Sequence, residues 1–442
     1  MTVAAFTLGC KVNQYDTETI LQDFSAGGFN IVEFIDIADV YIINTCTVTN
    51  VSDKKSRQMI SRAYKQNPQA LIVVYGCYAQ VNPEALQKLE GVSMVLGTQY
   101  KDSLVEMVTS HFETSFNLSV KPRLDEYETQ KISSCIKTVT KRTRAYLKIQ
   151  DGCDRYCSYC IVPYARGLVK SRPIADLLSE AENLVKLGCK EIVLTGIQIA
   201  AYGNDVSNDN NLLIDLIKQI HDIHGLERLR LGSLDPNIIN EKFLNAIVSL
   251  PKLCDHFHLS LQSGCDRTLS RMNRKYTSDQ YAQKAKKLRS LFPKGTFTTD
   301  IIVGFPGETE EDFAQSLKFV EEINFFRIHV FMYSPKEKTP AAEYKNQIDK
   351  KTKEHRSHAM RTLGKQMNHD FCIKYIGDVL PVLFESRVDS SKAKTDTVWE
   401  GHTTQYITVR VHSNMQNLEN QIIPVRLKEL KDGVMYGEVE AI

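Results

Sequence analysis

The sequence predicts an α/β protein in three parts: a doubly wound parallel α/β domain, a partial (β/α)6 barrel and a small closed β-barrel. Three observations carry this prediction. Short β-rich runs alternate with helical stretches over the first hundred or so residues. The same alternation resumes near Ala145 and repeats about six times. From about Tyr375, helical periodicity gives way to short alternating segments.

In the first part, assigned to residues 1–112, the runs AAFTLGC, VYIINTC and LIVVYGC are separated by TETILQDFSAGG and KKSRQMISRAYKQ, the rhythm of parallel βαβ units. Over 113–138 apolar periodicity disappears and polar residues dominate (KPRLDEYETQKISS), as in a linker crossing the surface. The barrel is assigned to 139–371. Its strands are AYLKIQDG, EIVLTG, RLRLGS, HFHLSLQS, FTTDIIVG and FRIHVFMYS, with helices such as IADLLSEAENLVKLG and EEDFAQSLKFVEEI between them. A site is expected at the carboxyl ends of these strands. Residues 372–442 supply five short strands, VLPVLFES, TVWEGHT, QYITVRVHS, QIIPVRLKEL and MYGEVEAI, which look like those of oligonucleotide-binding barrels.

The chain carries 55 Lys and Arg against 53 Asp and Glu, so any nucleic-acid partner would have to be held by local patches rather than by net charge. No apolar run reaches the roughly 18 residues that span a bilayer. The start, MTVAAFTLGCKVNQYD, has no basic region ahead of its short apolar stretch, so a secretory signal is not expected and a cytosolic compartment is. In that reducing compartment, eleven cysteines point to metal or redox chemistry rather than disulfides.

Asp151-Gly-Cys-Asp-Arg-Tyr-Cys-Ser-Tyr-Cys places Cys153, Cys157 and Cys160 at C-x3-C-x2-C spacing, directly after the first barrel strand. Three thiolates on one loop can bind three irons of a four-iron cube and leave the fourth open for chemistry. A structural zinc ion would want a fourth ligand, and no other Cys or His lies nearby on the loop. Here the chain resembles the radical SAM superfamily, whose defining loop has this spacing and an aromatic residue before the last cysteine, here Tyr159. That resemblance implies that the amine and carboxylate of S-adenosylmethionine (SAM) chelate the open iron and that one electron cleaves SAM to a deoxyadenosyl radical. Gly304-Phe-Pro-Gly-Glu-Thr309 resembles the superfamily's adenine-side glycine segment. Read alone, it is also a strand-to-helix connection with Thr309 as N-cap.

Cys10, Cys46 and Cys77 lie far apart, yet each ends a predicted strand of the first part (FTLGC, YIINTC, VVYGC), flanked by polar Lys11, Asn13, Asn44 and Thr45. Strand carboxyl ends of an open parallel sheet lie along one edge, where ligand sites form, so the three thiols are expected to converge. The plain alternative is three buried core cysteines. Cys135, Cys189, Cys254, Cys265 and Cys372 show no such pattern.

With both triads in place, the whole chain resembles the methylthiotransferase family: an amino-terminal domain with three cysteines, a radical SAM partial barrel and a TRAM module. The strings TLGCKVNQYDTE and NTCTVTN look like the branch that modifies N6-threonylcarbamoyladenosine beside the tRNA anticodon. Further matches are Leu231-Gly-Ser-Leu-Asp-Pro236, His258-Leu-Ser-Leu-Gln-Ser-Gly264 and His329-Val-Phe-Met-Tyr-Ser334. Two departures are Asp235, usually Glu, and Lys336-Glu-Lys, usually of an Arg-x-Gly type. The resemblance implies two 4Fe-4S clusters, on Cys153, Cys157, Cys160 and on Cys10, Cys46, Cys77, with SAM as both radical source and methyl donor. It further implies a tRNA substrate, and a small electron donor such as flavodoxin or ferredoxin is expected to act on a monomer.

Tyr159, Gln198, Ser233, Gln262 and Gly304 are the expected SAM contacts, each with the alternative of a rim residue. Arg267, Arg271 and Arg274 recur at i, i+4 and i+7, predicting one helix face that, with Lys275, holds tRNA phosphates or is simply solvated. Lys54, Lys55, Arg57, Arg62 and Lys65 form a second candidate patch. Two rivals remain: a ribosomal-protein substrate, and a non-catalytic iron-sulfur or zinc nucleic-acid-binding protein.

Overall fold

The computed structural model describes residues 1–114, 143–207, 211–388, 397–413 and 417–440. The first unit holds strands β1 (Thr2–Thr7), β2 (Asn30–Val32), β3 (Val40–Thr45), β4 (Leu71–Gly76) and β5 (Met94–Leu96). Their order is β2-β1-β3-β4-β5, all parallel. Helices α1 (Lys11–Ala26), α2 (Asn50–Gln66), α3 (Cys77–Val81), α4 (Pro83–Gln87) and α5 (Leu104–Thr114) cover the sheet. VYIINT and LIVVYG are buried at every position, because helices pack on both faces of a parallel sheet. Of the expected linker, Glu113 and Thr114 end α5; the rest, with Cys135, lies outside the described residues.

The second unit begins with β6 (Arg144–Lys148), the short pair β7 (Gln150–Asp151) and β8 (Lys170–Ser171), and α6 (Val162–Arg166) between them. There follow α7 (Ile174–Lys186), β9 (Glu191–Thr195), α8 (Asn211–His221), β10 (Arg228–Leu231), β11 (Ser233–Leu234), α9 (Glu241–Val248), β12 (His256–Leu259), α10 (Asp266–Arg271), α11 (Ser278–Leu291), β13 (Thr296–Val303), α12 (Glu310–Ile323), β14 (Arg327–Met332) and α13 (Lys350–Cys372). The strands pair in parallel as β6-β9-β10 and β11-β12-β13-β14, with Gly232 between the two runs. With β10 and β11 counted as one strand interrupted at Gly232, this is the six-stranded partial barrel, with β6 and β14 as its open edges. Its helices turn apolar stripes inward, as Leu177, Ala181 and Leu184 do on α7. Thr309 and Asp312 form a capping box that starts α12.

The third unit is a closed barrel of β15 (Val379–Val388), β16 (Val398–His402), β17 (Thr408–His412), β18 (Ile422–Lys431) and β19 (Val434–Val439), in the order β15-β16-β17-β19-β18. Only β17 and β19 pair in parallel, the arrangement of oligonucleotide-binding barrels. The turn between β16 and β17 reaches under the partial barrel. Arg230 donates to the carbonyls of Thr403 and Thr404, and Thr296 Oγ1 to that of Gln405 (2.6 Å). Tyr406 stacks on His256 and His402, with ring centroids 4.9 and 4.8 Å away. Arg230 lies on β10, and His256 and Thr296 start β12 and β13, so the turn closes the barrel floor. Among the described residues, no helix is long and apolar enough to cross a membrane.

Candidate functional site

A 2-1-3-4-5 parallel sheet changes winding direction between β1 and β3, and ligands bind at the strand carboxyl ends there. Cys10 follows β1, Cys46 follows β3 and Cys77 follows β4, so the first triad flanks that point. The turn into Cys10 requires glycine. Gly9 has φ +107°, and a Cβ there would lie 2.9 Å from Cys46 Cβ and 3.2 Å from Cys46 Sγ. Burial pushes the Cys77 thiol up to about 12, and the sulfurs of Cys46 and Cys10 push it the same way, so the three are near enough to act on one another. Burial likewise raises Cys46, again with Cys10 adding to it.

The second triad lies on the loop after β7. Gly152 enters it at φ +72°, where a Cβ would sit 1.8 Å from the Leu168 carbonyl oxygen. Cys153 N–H donates to Gly167 and Cys160 N–H to Cys157. Tyr156 takes φ +45°, a strained conformation for a bulky residue held by its surroundings. The loop is pinned from outside: Ser158 donates to the carbonyls of Arg271 and Met272, and accepts from Ala341 N–H. Burial pushes Cys160 up to about 12, with Cys157 and Cys153 adding to it.

Buried thiols that oppose one another's ionisation need a cation to become thiolates together. Sulfurs on one zinc ion lie only about 3.8 Å apart, from a Zn–S bond of roughly 2.3 Å. Among the described residues, the one group of three or more potential ligands gathered within 4.8 Å is His258, Asp300 and His329, so neither triad is packed tightly enough for a single ion. Three thiols per site at wider spacing fit a four-iron cube, whose irons occupy separate corners.

Arg166 joins the two triads. It ends α6, just past Cys160, is buried, and donates to Asn13 Oδ1 (2.6 Å), Asp16 Oδ2 (3.2 Å) and Asp151 Oδ2 (2.8 Å). Asn13 and Asp16 lie on α1 just beyond Cys10, and Asp151 two residues before Cys153. Lys148 bridges the same carboxylates, at 2.7 Å to Asp16 and 2.6 Å to Asp151. Burial alone would raise the Asp16 carboxyl; Lys148, Lys101 and Arg166 hold it far below the usual range. A second guanidinium, Arg274, donates to Cys157 Sγ at 3.4 Å.

The five expected SAM contacts lie at the loop or at strand carboxyl ends. Tyr159 packs beside Met272, Phe305 and Tyr333. Gln198 N–H donates to Gln150 Oε1, and Ser233 is exposed at the start of β11. Gln262 sits at φ +70° between strands, exchanging backbone hydrogen bonds with Asp300 and Ile302. Gly304 N–H donates to Glu308, which Arg356 holds at 2.8 Å.

The expected helix face of three arginines is corrected. Helix α10 ends at Arg271 and Asn273 adopts φ +59°, so the chain turns before Arg274. Arg267 stays at the surface, paired with Asp312 at 2.5 Å; Lys275 is exposed; Arg274 turns inward to Cys157, Tyr276 and Asp235. Asp235, the Glu departure, thus pairs with that arginine. Lys336, the other departure, pairs with Asp53 at 2.6 Å and ties the end of β14 to α2. Lys54, Lys55, Arg57, Arg62 and Lys65 are all exposed on α2.

Sequence reasoning missed the lumen of the partial barrel. His258 lies between Thr298 Oγ1 (3.0 Å) and Asp300 Oδ2 (3.2 Å), with His329 on the next strand, and Lys11 projects among them. Alternate polar residues on otherwise apolar strands were the available signal. Beside the lumen, Cys10 and Cys46 reach a cavity of about 790 Å³ that Phe331 and Met332 also line.

A partial barrel with three thiols on the loop behind its first strand defines a radical SAM enzyme. Residues 147–320 match the profile of the Radical SAM superfamily, and residues 2–97 match that of "Uncharacterized protein family UPF0004". The fold is similar to that of the radical S-adenosylmethionine methyltransferase TsrM of Kitasatospora setae (TM-score 0.57, 15% identity, 77% of this chain and 75% of that one). The sequence is 38% identical to the threonylcarbamoyladenosine tRNA methylthiotransferase MtaB of Bacillus subtilis, over 99% of this chain and 95% of that protein. It is 39% identical to MtaB of Aquifex aeolicus (87% and 92%), and 34% identical to the tRNA-2-methylthio-N(6)-dimethylallyladenosine synthase of Alkaliphilus oremlandii (98% and 91%). The chain belongs to the radical SAM tRNA methylthiotransferase family.

Proposed function

We propose that the protein converts N6-threonylcarbamoyladenosine beside a tRNA anticodon to its 2-methylthio derivative, with SAM and two 4Fe-4S clusters as cofactors. The observation that supports this most is the pair of thiol triads, each too open for one ion and each with a guanidinium beside it, Arg166 acting on Cys77 and Arg274 on Cys157, and both tied together by Arg166. Cys153, Cys157 and Cys160 would hold one cluster, and Cys10, Cys46 and Cys77 the other. When bound, these groups supply the one-electron and sulfur chemistry that an adenine C2–H bond, neither acidic nor easily displaced, requires.

The chain's own residues position and shield. Arg166 and Lys148 fix α1 to β6 and so set the spacing between the triads. Arg274 offsets negative charge at Cys157. Phe331 offers an exposed aromatic face at the cavity beside Cys10 and Cys46, suited to a flat base. Exposed lysines and arginines on α2 suit RNA phosphates. We place the reaction in the cytosol, with a monomer taking electrons from a small carrier such as flavodoxin or ferredoxin.

Two measurements test this. Oxygen-free purification of the intact protein should give about twice the iron and sulfide of a variant with Cys153, Cys157 and Cys160 all changed to Ala; equal iron in both defeats the two-cluster assignment. Mass spectrometry of digested tRNA from a deletion strain should lack the methylthio derivative of threonylcarbamoyladenosine. Its persistence defeats the choice of substrate.

A further inference from the structure

Lys11 follows Cys10 directly, and its ammonium enters the lumen of the partial barrel, 5.9 Å from the centre of the Tyr146 ring on β6. Its electrostatic neighbours come from the floor turn and from strands around the barrel: Tyr406, Arg144 and Glu191, Arg230, His256 and His329. Among the described residues no carboxylate lies within 4.0 Å of it. The anions nearby already have partners. Glu191 receives Arg230 at 2.7 and 3.2 Å, Glu385 receives Arg144 at 2.9 Å, and Asp300 receives His258 at 3.2 Å. Lys11 is therefore a half-buried cation with no carboxylate in ion-pair range, and such a group costs free energy until an anion joins it.

This inference rests on the substrate reading above. The threonylcarbamoyl group hangs from N6, on the ring carbon separated from C2 by N1 alone, and ends in the free α-carboxylate of threonine. A base whose C2 faces the Cys10 triad thus carries that carboxylate within a side chain's length of the same triad. A dimethylallyl group at N6 has no charge to offer. We propose that Lys11 is a specificity-determining residue that pairs with the substrate's threonyl carboxylate in the barrel lumen. The pairing favours the anionic base and penalises an apolar one, which would leave the ammonium buried alone.

The test uses the full chain with its clusters loaded and anticodon stem-loop RNA carrying one of two bases: threonylcarbamoyladenosine or its threonyl methyl ester. Wild type should bind the acid at least tenfold more tightly than the ester. Lys11→Gln should bind the two alike, and Lys11→Arg should restore the preference; iron content reports whether each variant keeps its clusters. Equal affinity of wild type for acid and ester overturns the proposal without reference to any variant, as does a Lys11→Gln protein that still prefers the acid. If wild type methylthiolates the acid-bearing RNA in either case, the substrate reading stands and only the role of Lys11 falls. If wild type forms no methylthio product on that RNA, both fall together.

Discussion

Asp16 and Asp151 share one dry site as carboxylates because Lys148 and Arg166 both bridge them, and Arg166 spans them with a forked donor and still reaches Asn13. Removing one partner from a buried ionic network leaves uncompensated charge, at a cost of about 3–5 kcal/mol. Arg166→Gln should therefore lower the thermal midpoint sharply. Arg166→Lys should rescue little, because a single ammonium cannot serve three acceptors in fixed directions. A melting curve for the lysine variant equal to wild type would show that charge alone suffices. Gly9 acts through shape instead. A methyl group there meets Cys46 before any flexible atom can yield, and φ +107° is strained for any other residue. Gly9→Ala should lose the iron we assign to Cys10, Cys46 and Cys77 while keeping that of the other triad, which iron analysis against the triple alanine variant of the barrel loop resolves.

Elements show where the sequence was readable and where it was not. The cysteines ending FTLGC, YIINTC and VVYGC stood out because a parallel sheet has one functional edge, and strand ends can be counted along the chain. The pairing of Asp16 with Arg166 spans 150 residues, and no local pattern encodes it. The arginines at 267, 271 and 274 kept helical spacing after the helix had stopped, since periodicity does not register the turn at Asn273. The barrel floor was equally hidden, because its plug belongs to another unit. There, burial would raise the Glu191 carboxyl, but Arg230, Arg144 and Arg228 bring it down to about 2. A carboxylate depressed on folding stabilises the protein above its unfolded pKa of about 4.3, and that contribution fades as pH falls toward 2. In cluster-free protein, Glu191→Gln should thus cost stability near neutral pH, and its gap from wild type should narrow on acidification. A gap that stays constant from pH 6 to pH 3 would remove Glu191 from that role.

At the scale of the whole molecule, three units share one problem: an RNA must be held while a single base enters the space beside the thiols. Net charge gives no help, so binding must come from local patches, and the exposed stripe on α2, Lys54, Lys55, Arg57, Arg62 and Lys65, is the one we propose. Ser56, Ile60 and Ala63 bury the opposite face of that helix, which leaves the cations turned outward together. A second basic groove runs beside α13, where Arg361, Lys365 and His369 face the turn between β18 and β19 across about 870 Å³. Phosphate contacts release counterions, so the logarithm of affinity falls with the logarithm of salt by about 0.9 per contact on duplex RNA, by analogy with B-DNA, and about 0.7 on single strands. Changing Arg62 and Lys65 to Gln should weaken tRNA binding and flatten that slope by about one to two. The preference for threonylcarbamoyladenosine over plain adenosine should persist, because phosphate contacts place the RNA without reading its bases. A slope equal to wild type would move the RNA track off α2 and toward α13, where the same substitution series on Arg361 and Lys365 would then have to flatten it.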